Sequence, residues 1–388
     1  MIAAGGFWLA AALLAYTWVG YPLLLRRLAA RRRPPASPPA PVRPRLSVIV
    51  AAYNEAGCIR EKIDTTLAQP YPARSLEIIV VSDGSTDGTD AIVAGHPDGR
   101  VRLLRQEPRA GKSPALNRGA AAARGEILVF TDANAMFAPG ALARLVAPFA
   151  DRAVGLVTGH GLYAATAGDA RAVSSGYVRY EAGLRAGESA LGFQASADGA
   201  IYALRRDLYR ELHAAEVNDL LHPIQVALAG HTSRFEPEAY TVEPPSRDGT
   251  QEFRRHVRIV AQGMYLLRRW LPPLIAARRW GPAWMLLSHR ALRWTTAPCL
   301  AVVLVGAVVL LDRGPVYTVA LLAQAVFYAI ALAGWTAERA GRRLGRLAIP
   351  YYFCLVAAAA LAGFGRFVRG GAQAVWAPAG ARATGRAA

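Results

Sequence analysis

The sequence predicts an α/β fold, a Rossmann-like, mostly parallel sheet wound on both faces, carried between N-terminal and C-terminal transmembrane helices. Three observations lead there. Continuously apolar runs alternate with helical patterns through the first part of the middle segment. Four windows elsewhere contain no Asp, Glu, Lys or Arg over lengths close to a bilayer crossing. The basic charge lies outside the α/β segment.

The chain has 388 residues and a formal net charge of +18. Between Arg45 and Glu243 there are 20 basic and 23 acidic residues, and the remainder carries 25 basic against 4 acidic. A nucleic-acid binder places its charge on the folded domain. Here it flanks apolar spans, as anionic lipid and the positive-inside rule require, so nucleic acid is excluded as a partner. Three scattered cysteines, Cys58, Cys299 and Cys354, exclude a disulfide scaffold or zinc knuckle.

The apolar windows are Met1–Leu25, Trp294–Leu311, Gly314–Ala337 and Leu347–Gly365. The first has no basic residue before it and Arg26, Arg27, Arg31, Arg32 and Arg33 after it, the reverse of a secretory signal. It predicts an uncleaved anchor (residues 1–25) with its C-terminal end in the cytoplasm. Residues 26–44 form an Arg- and Pro-rich linker, stiff and extended from Pro34 to Pro44. Residues 45–245 form the α/β domain, and residues 246–293 short amphipathic helices on the membrane, broken at Pro272, Pro273 and Pro282. About three crossings follow (294–365), then a basic tail (366–388). Arg339, Arg342, Arg343 and Arg346 place the third connection inside, whereas Arg366, Arg369, Arg382 and Arg386 conflict with an outside C-terminus.

Within the domain, Leu46–Ala52, Leu76–Ser82 and Ile127–Thr131 read as strands buried on both faces, with Val101–Leu104 a shorter fourth. Ile59–Ala68, Thr86–Ala94 and Ala115–Ala123 read as the intervening helices. The first strand is followed by Tyr53-Asn54-Glu55, the second by Asp83-Gly84-Ser85-Thr86-Asp87-Gly88, and the third by Asp132-Ala133-Asn134. Ligands of open parallel sheets bind beyond these ends. One acid at a strand end can be a helix cap, and capping is the preferred reading of Asp87. Three acids on one rim repel unless a cation or a donor-rich ligand lies between them. A divalent ion with a nucleotide diphosphate meets that need. Lys112, in Gly111-Lys112-Ser113-Pro114-Ala115-Leu116-Asn117, is one of only two lysines against 43 arginines. A lysine after glycine at a helix start suits a phosphate contact, the alternative being a solvated surface lysine. The spacing is not that of a P-loop. His160, His213, His222, His231 and His289 are too dispersed for a metal cluster and fit packing or surface roles. His289-Arg290 could contact a lipid phosphate.

These motifs, in this order, resemble the family 2 glycosyltransferases with a GT-A nucleotide-sugar domain, in their membrane-integrated bacterial form. The resemblance runs from about Leu46 to Arg258. It implies nucleotide-sugar contacts from Ala52, Tyr53, Asn54 and Glu55, from Asp83 and Lys112, and from Asp132 at the Asp-x-Asp position. Ser82 stands where the family often has an acid. Asp132 and Asn134 would hold Mg²⁺ or Mn²⁺, with Asn134 a neutral replacement for the second acid. Ser196-Ala197-Asp198-Gly199-Ala200 followed by Arg205-Arg206 resembles the acceptor-side loop, giving Asp198 and Gly199 as acceptor contacts. Asn218-Asp219 resembles the Glu-Asp motif, making Asp219 the general base, with capping of a helix Leu220–Ala229 as the competing role. Gln251 to Arg258 stands in place of Gln-x-x-Arg-Trp. Arg254, Arg255 and Arg258 are present for acceptor contact, while the tryptophan of processive enzymes is absent.

The resemblance thus implies inverting transfer from a nucleotide sugar, UDP-linked by preference, to a glycan or lipid-linked acceptor. The enzyme would act on the cytoplasmic face of the inner membrane, as a multi-pass protein in surface polysaccharide or glycolipid synthesis. The alternatives are a polyprenyl-phosphate sugar transferase, a processive polysaccharide synthase and a non-catalytic nucleotide-sugar-binding subunit. A transporter is disfavoured, because spans without a buried charge offer no ion path.

Overall fold

The computed structural model describes residues 1–32, 43–163, 170–244, 249–342 and 344–370, the side chains of 170–177 excepted. Most of the Pro-rich linker, Arg343 and residues 371–388 lie outside them. The described chain forms two compact units. One comprises residues 43–163 and 192–244, and the other residues 1–32, 170–191 and 249–370 apart from Arg343.

The first unit is built on eight strands: β1 Leu46–Ala52, β2 Leu76–Asp83, β3 Val101–Gln106, β4 Ile127–Asp132, β5 Met136–Phe137, β6 Val154–Tyr163, β7 Tyr202–Arg205 and β8 Thr232–Glu243. They form one sheet in the order β3-β2-β1-β4-β7-β6-β8-β5. The β3-β2-β1-β4 half is parallel, with Leu46 paired to Leu76 on one side and Ile127 on the other. β7 runs antiparallel to β4 and to β6, and β5 antiparallel to β8. β6 and β8 pair in parallel, so the sheet is mixed, with the expected parallel character continuous across β3-β2-β1-β4 and interrupted in the second half by the antiparallel β7 and β5. Continuous apolarity reports burial on both faces and not direction.

Val48, Ile49, Val50, Ile78, Ile79, Val80, Leu128 and Val129 are fully buried, as strands covered on both faces must be. The covering helices are Ile59–Leu67, Thr89–Ala94, Lys112–Ala122 and Ala141–Val146. Helix Lys112–Ala122 lies so close to β1 that a Cβ on Gly119 would come within 2.6 Å of Ile49 Cγ2. At the start of the helix the Gly111 N–H donates to Asp83, the last residue of β2, which places its N-terminus at the carboxyl ends of the parallel strands.

Among the described residues, three helices of the second unit are long and apolar enough to cross a membrane, Ile2–Ala30, Pro315–Arg339 and Gly345–Val368, or four if the bent pair described next is one span. The window expected at Trp294–Leu311 is a 14-residue helix, Thr296–Val309, bent by 57° from the preceding Trp280–Trp294. Phe7, Ala10, Cys299, Val303, Ala307 and Tyr317 form the packed cluster between the first helix and its neighbours.

Two expectations are corrected here. Residues 249–276 are one 28-residue helix with Pro272 and Pro273 inside it, not short pieces broken at those prolines. Each proline gives up its own N–H bond to the preceding turn, and the helix continues only to Ala276 beyond them. The helix packs closely along Gly345–Val368, where a Cβ on Gly363 would meet Val260 and the Val257 carbonyl at 2.8 Å. His289 does not face a lipid headgroup. It is buried, with Nδ1 2.7 Å from Glu188 Oε1 and Nε2 3.2 Å from Glu181 Oε2. Tyr21 donates to the same Glu188 oxygen at 2.8 Å. Charged groups are thus buried in this unit after all, on helix Ala170–Ala190 and not within the three spans.

Candidate functional site

The carboxyl ends of β1, β2 and β4 lie side by side, and their loops are tied together. After β1, Asn54 takes a left-handed conformation (φ 56°). This aims its Oδ1 at the Thr86 N–H, 2.8 Å away, while its own N–H donates to Ser85 Oγ. The Glu55 N–H donates to Thr89 Oγ1. The loops after β1 and β2 therefore move as one. Asp87 accepts from the Thr89 and Ala56 N–H groups at 3.1 and 3.0 Å. Burial opposes its ionisation, but these bonds outweigh it and hold the carboxyl below its usual value. The N-cap of helix Thr89–Ala94 is Gly88, with no side-chain cap bond, so Asp87 stands one residue before the cap and bonds the first helical N–H and does not fill the capping position expected of it. The helix starts three residues later than the sequence pattern indicates, after Gly88 in a left-handed conformation.

Asp83 is fully buried and accepts from Gln106 Nε2 (2.7 Å), the Ala110 N–H (2.8 Å) and the Gly111 N–H (2.9 Å). Both oxygens are committed to the protein. In this structure Asp83 therefore shapes the 106–111 loop and does not present a free oxygen to a nucleoside. Ala52 is also fully buried, which leaves the contacts of its motif to Tyr53, Asn54 and Glu55. The Arg109 guanidinium lies 3.5 Å over the Tyr53 ring, joining the 106–111 loop to the end of β1 by a cation–π contact.

Gly111, at φ 104°, ends that loop and starts helix Lys112–Ala122. Lys112 thus occupies the first turn, where the unpaired N–H groups and the helix dipole favour an anion. Its Nζ lies 2.5 Å from Asp132 Oδ1. Of the two readings for Lys112, the solvated surface lysine is not what the geometry shows. Glu55 is close enough to feel the Asp132 and Asp87 charges, and burial, chiefly, raises its carboxyl above the usual range.

Across the strand ends, the loop 196–201 brings in the remaining acids. Thr131 Oγ1 donates to the Ala200 carbonyl at 2.7 Å, fixing that loop to β4. Asp198 folds the loop, accepting from the Gly161 and Ala200 N–H groups. The Ala197 N–H donates to the Asp219 carbonyl at 2.7 Å. A Cβ on Gly199 would stand 3.3 Å from Asp219 Oδ2, so glycine there leaves room beside the carboxylate. Asp219 is the second residue of helix Asn218–Leu228, whose N-cap is Val217. The competing capping role for Asp219 is therefore not the one observed.

Beneath Asp219, Asn218 Nδ2 donates to the Tyr202 hydroxyl (2.7 Å), which in turn donates to His222 Nδ1 (2.9 Å). The proton of neutral His222 then sits on Nε2, which has no hydrogen-bond partner and is buried among Phe130, Tyr202 and Tyr209. Burial drives this imidazole from 6.5 down to about 3. Between those values the unfolded chain binds the proton and the folded one does not. Stability is therefore complete above about 6.5 and is lost as pH falls toward about 3. His222→Gln is expected to flatten this acid limb, measured as the melting temperature against pH for variant and parent.

Arg205 and Arg206 are not on this rim. β7 is antiparallel to β4, pairing Arg205 with Ile127, so both arginines lie at the opposite edge. There Arg205 donates to the Val154 and Phe149 carbonyls and Arg206 to that of Ala123. Arg254, Arg255 and Arg258 belong to helix Gly249–Ala276 of the other unit, with Arg255 3.9 Å from Glu252.

Asp132 and Asn134 offer two hard oxygen donors on one turn. Among the described residues no group of three His, Cys, Asp or Glu gathers to hold a metal. The donor set fits Mg²⁺ or Mn²⁺ only as ions that take most of their ligands from phosphate and water, which is their usual habit at nucleotide sites.

Sequence reasoning did not single out Ser113, Asn117, Thr131 or Tyr202. Ser113 Oγ donates to the Glu216 carbonyl, and Asn117 pairs with the Leu212 backbone and the Tyr209 hydroxyl. They pin the segment before Asp219 to helix Lys112–Ala122. For Ser113 and Asn117 the signal was the Gly111–Asn117 motif that also carries Lys112.

Residues 47–211 match the family model described as "Glycosyl transferase family 2". The chain is similar to the succinoglycan biosynthesis protein ExoO of Rhizobium meliloti, 39% identical over 103 residues, which cover 26% of this chain and 29% of that protein. It is 28% identical to the probable glycosyltransferase YdaM of Bacillus subtilis over 61% of this chain and 59% of YdaM. The matches thus span less than two thirds of these relatives' lengths. Among solved structures, the mannosyltransferase PcManGT from Pyrobaculum calidifontis, in complex with GDP-Man and Mn²⁺, superposes with a TM-score of 0.71. It is 27% identical, with 95% of this chain and 99% of that one covered.

Proposed function

The chain carries a family 2 glycosyltransferase domain, and on that premise we propose that it transfers a sugar, with inversion, from a nucleotide-sugar donor to a hydroxyl of a glycan or lipid-linked acceptor. One observation carries this reading. Glu55, Lys112, Asp132 and Asp219 come from four separate stretches of sequence, and the strand-end loops draw them to one edge of the sheet.

Lys112 and the N-terminus of its helix receive the diphosphate and stabilise charge on it as it leaves. Asp132 and Asn134 would hold a divalent ion, which when bound supplies further positive charge at the same phosphates. Asp219 accepts the proton of the attacking hydroxyl, on the side of the pocket formed by Gly199. Tyr53, Asn54 and Glu55 line the nucleoside end, held in place by Ser85, Thr86 and Thr89. Asp198 organises the acceptor-side loop, and Arg254, Arg255 and Arg258 offer acceptor contacts on a separate helix. The span-length helices support a membrane location, with the domain on the cytoplasmic face, where nucleotide sugars are supplied. With Arg255 in place of the tryptophan that would follow Arg254, single transfer is favoured over processive synthesis.

The family resemblance favours a UDP-linked donor. The structural neighbour solved with GDP-Man brings GDP-mannose into the same test. Enzyme purified in detergent, given Mn²⁺ and each of several UDP- and GDP-sugars, is expected to release one nucleoside diphosphate at least about 10-fold faster than the others, a discrimination of about 1.4 kcal/mol. Release from none of them, with nucleotide binding intact, would leave only the non-catalytic binder.

A further inference from the structure

The chain has two lysines, and both reach the Asp132 turn. Lys112 meets Asp132 from the open side. Lys62, on helix Ile59–Leu67, is fully buried under the turn. Its Nζ donates to Thr131 Oγ1 at 2.7 Å and to the Ala135 carbonyl, and it lies 3.7 Å over the Phe137 ring. We infer that Lys62 is a positioning residue of the donor site, clamping the Asp132-Ala133-Asn134 turn at both ends through Thr131 and Ala135. This deepens the donor-site reading above and rests on it.

A buried ammonium is costly. A straight apolar side chain would fill the same space without that desolvation, but would leave the buried Ala135 carbonyl without the donor Lys62 gives it, so measurement separates positioning from stability. Burial pushes the Lys62 ammonium down to about 7, opposed by the Asp132 and Glu243 charges. Its partners are the residues immediately before Asp132 and immediately after Asn134. With both ends held, the two oxygen donors keep a fixed separation. The Thr131 hydroxyl donates onward to the Ala200 carbonyl, beside the Gly199 that faces Asp219. One ammonium thus fixes both the donor turn and the loop along the general base. Arginine, common everywhere else in the chain, cannot replace it. Its planar fork does not fit a site that takes a compact charge on a straight stem.

The test compares Lys62→Met, Thr131→Val and their double variant with the parent in detergent. It measures melting temperature, and affinity for Mn²⁺ with UDP or with GDP by titration calorimetry without acceptor. The expected result for Lys62→Met is affinity about 10- to 100-fold weaker, the usual cost of removing a group that orients metal ligands, with a melting temperature set by the balance between the ammonium desolvation it relieves and the Ala135 carbonyl it leaves unpaired. Thr131→Val is expected to weaken binding as well, and the double variant no more than the stronger single, since both act through one clamp. A lower melting temperature with parental affinity makes Lys62 a stability residue and overturns the inference. If Lys62→Met does not fold, parental affinity in Thr131→Val overturns it instead. Asp132→Asn serves as the control. Loss of binding there, with Lys62→Met unaffected, refutes the clamp alone, whereas parental binding in Asp132→Asn refutes the donor site and the clamp with it.

Discussion

Asp219→Asn is expected to lower turnover by about 100- to 10,000-fold, the range a positioned general base contributes, while leaving donor affinity within about 2-fold of the parent. The substitution keeps the size of the side chain beside Gly199 and removes only its basicity. The carbonyl that receives the Ala197 N–H is backbone and survives the change. Turnover and nucleoside diphosphate affinity, measured on the same preparation, check it. The outcome also divides the acceptors. A hydroxyl must lose its proton as it attacks, whereas a lipid phosphate is already ionised. Full turnover in Asp219→Asn would point to the polyprenyl-phosphate transferase.

Lys112→Met is expected to cut turnover by about 100-fold or more, comparable to the loss of one donor at a site of developing negative charge. Unlike Asp219→Asn, it should also weaken donor binding. Lys112 Nζ lies 2.5 Å from Asp132 Oδ1 at the start of an 11-residue helix. Its removal takes away the phosphate cation and leaves Asp132 without its counter-charge. Raising Mn²⁺ is expected to recover part of the donor binding and little of the turnover. An unaltered variant would return Lys112 to the solvated surface.

The local chemistry of the parallel half was legible in the chain. Leu46–Ala52 has the same limits in sequence and structure, and β2 and β4 each extend by one residue to take in Asp83 and Asp132. The acids at these strand ends followed from the fold rule for parallel sheets. The roles of those acids divided in ways that spacing does not express. Asp83 and Asp132 look alike in sequence, each the last residue of an apolar strand. One has both oxygens filled by Gln106 and the 110–111 backbone, and the other stands half-exposed against Lys112. Arg205 and Arg206 show the same limit, since only the antiparallel direction of β7 puts them at the far edge.

Linear order by itself determined the secondary structure of the first half-sheet, the span-length apolar helices, and which residue types could serve a diphosphate. Each of these depends on neighbours within a few positions, through apolar periodicity, strand-end placement and charge. Tertiary structure alone decided which carboxylates stay available, that Lys62 lies under the Asp132 turn 69 residues away from Thr131, and that Gly199 borders Asp219. Those facts depend on close packing between segments remote in sequence, and burial there fixes which oxygens the protein uses and which it leaves to a ligand.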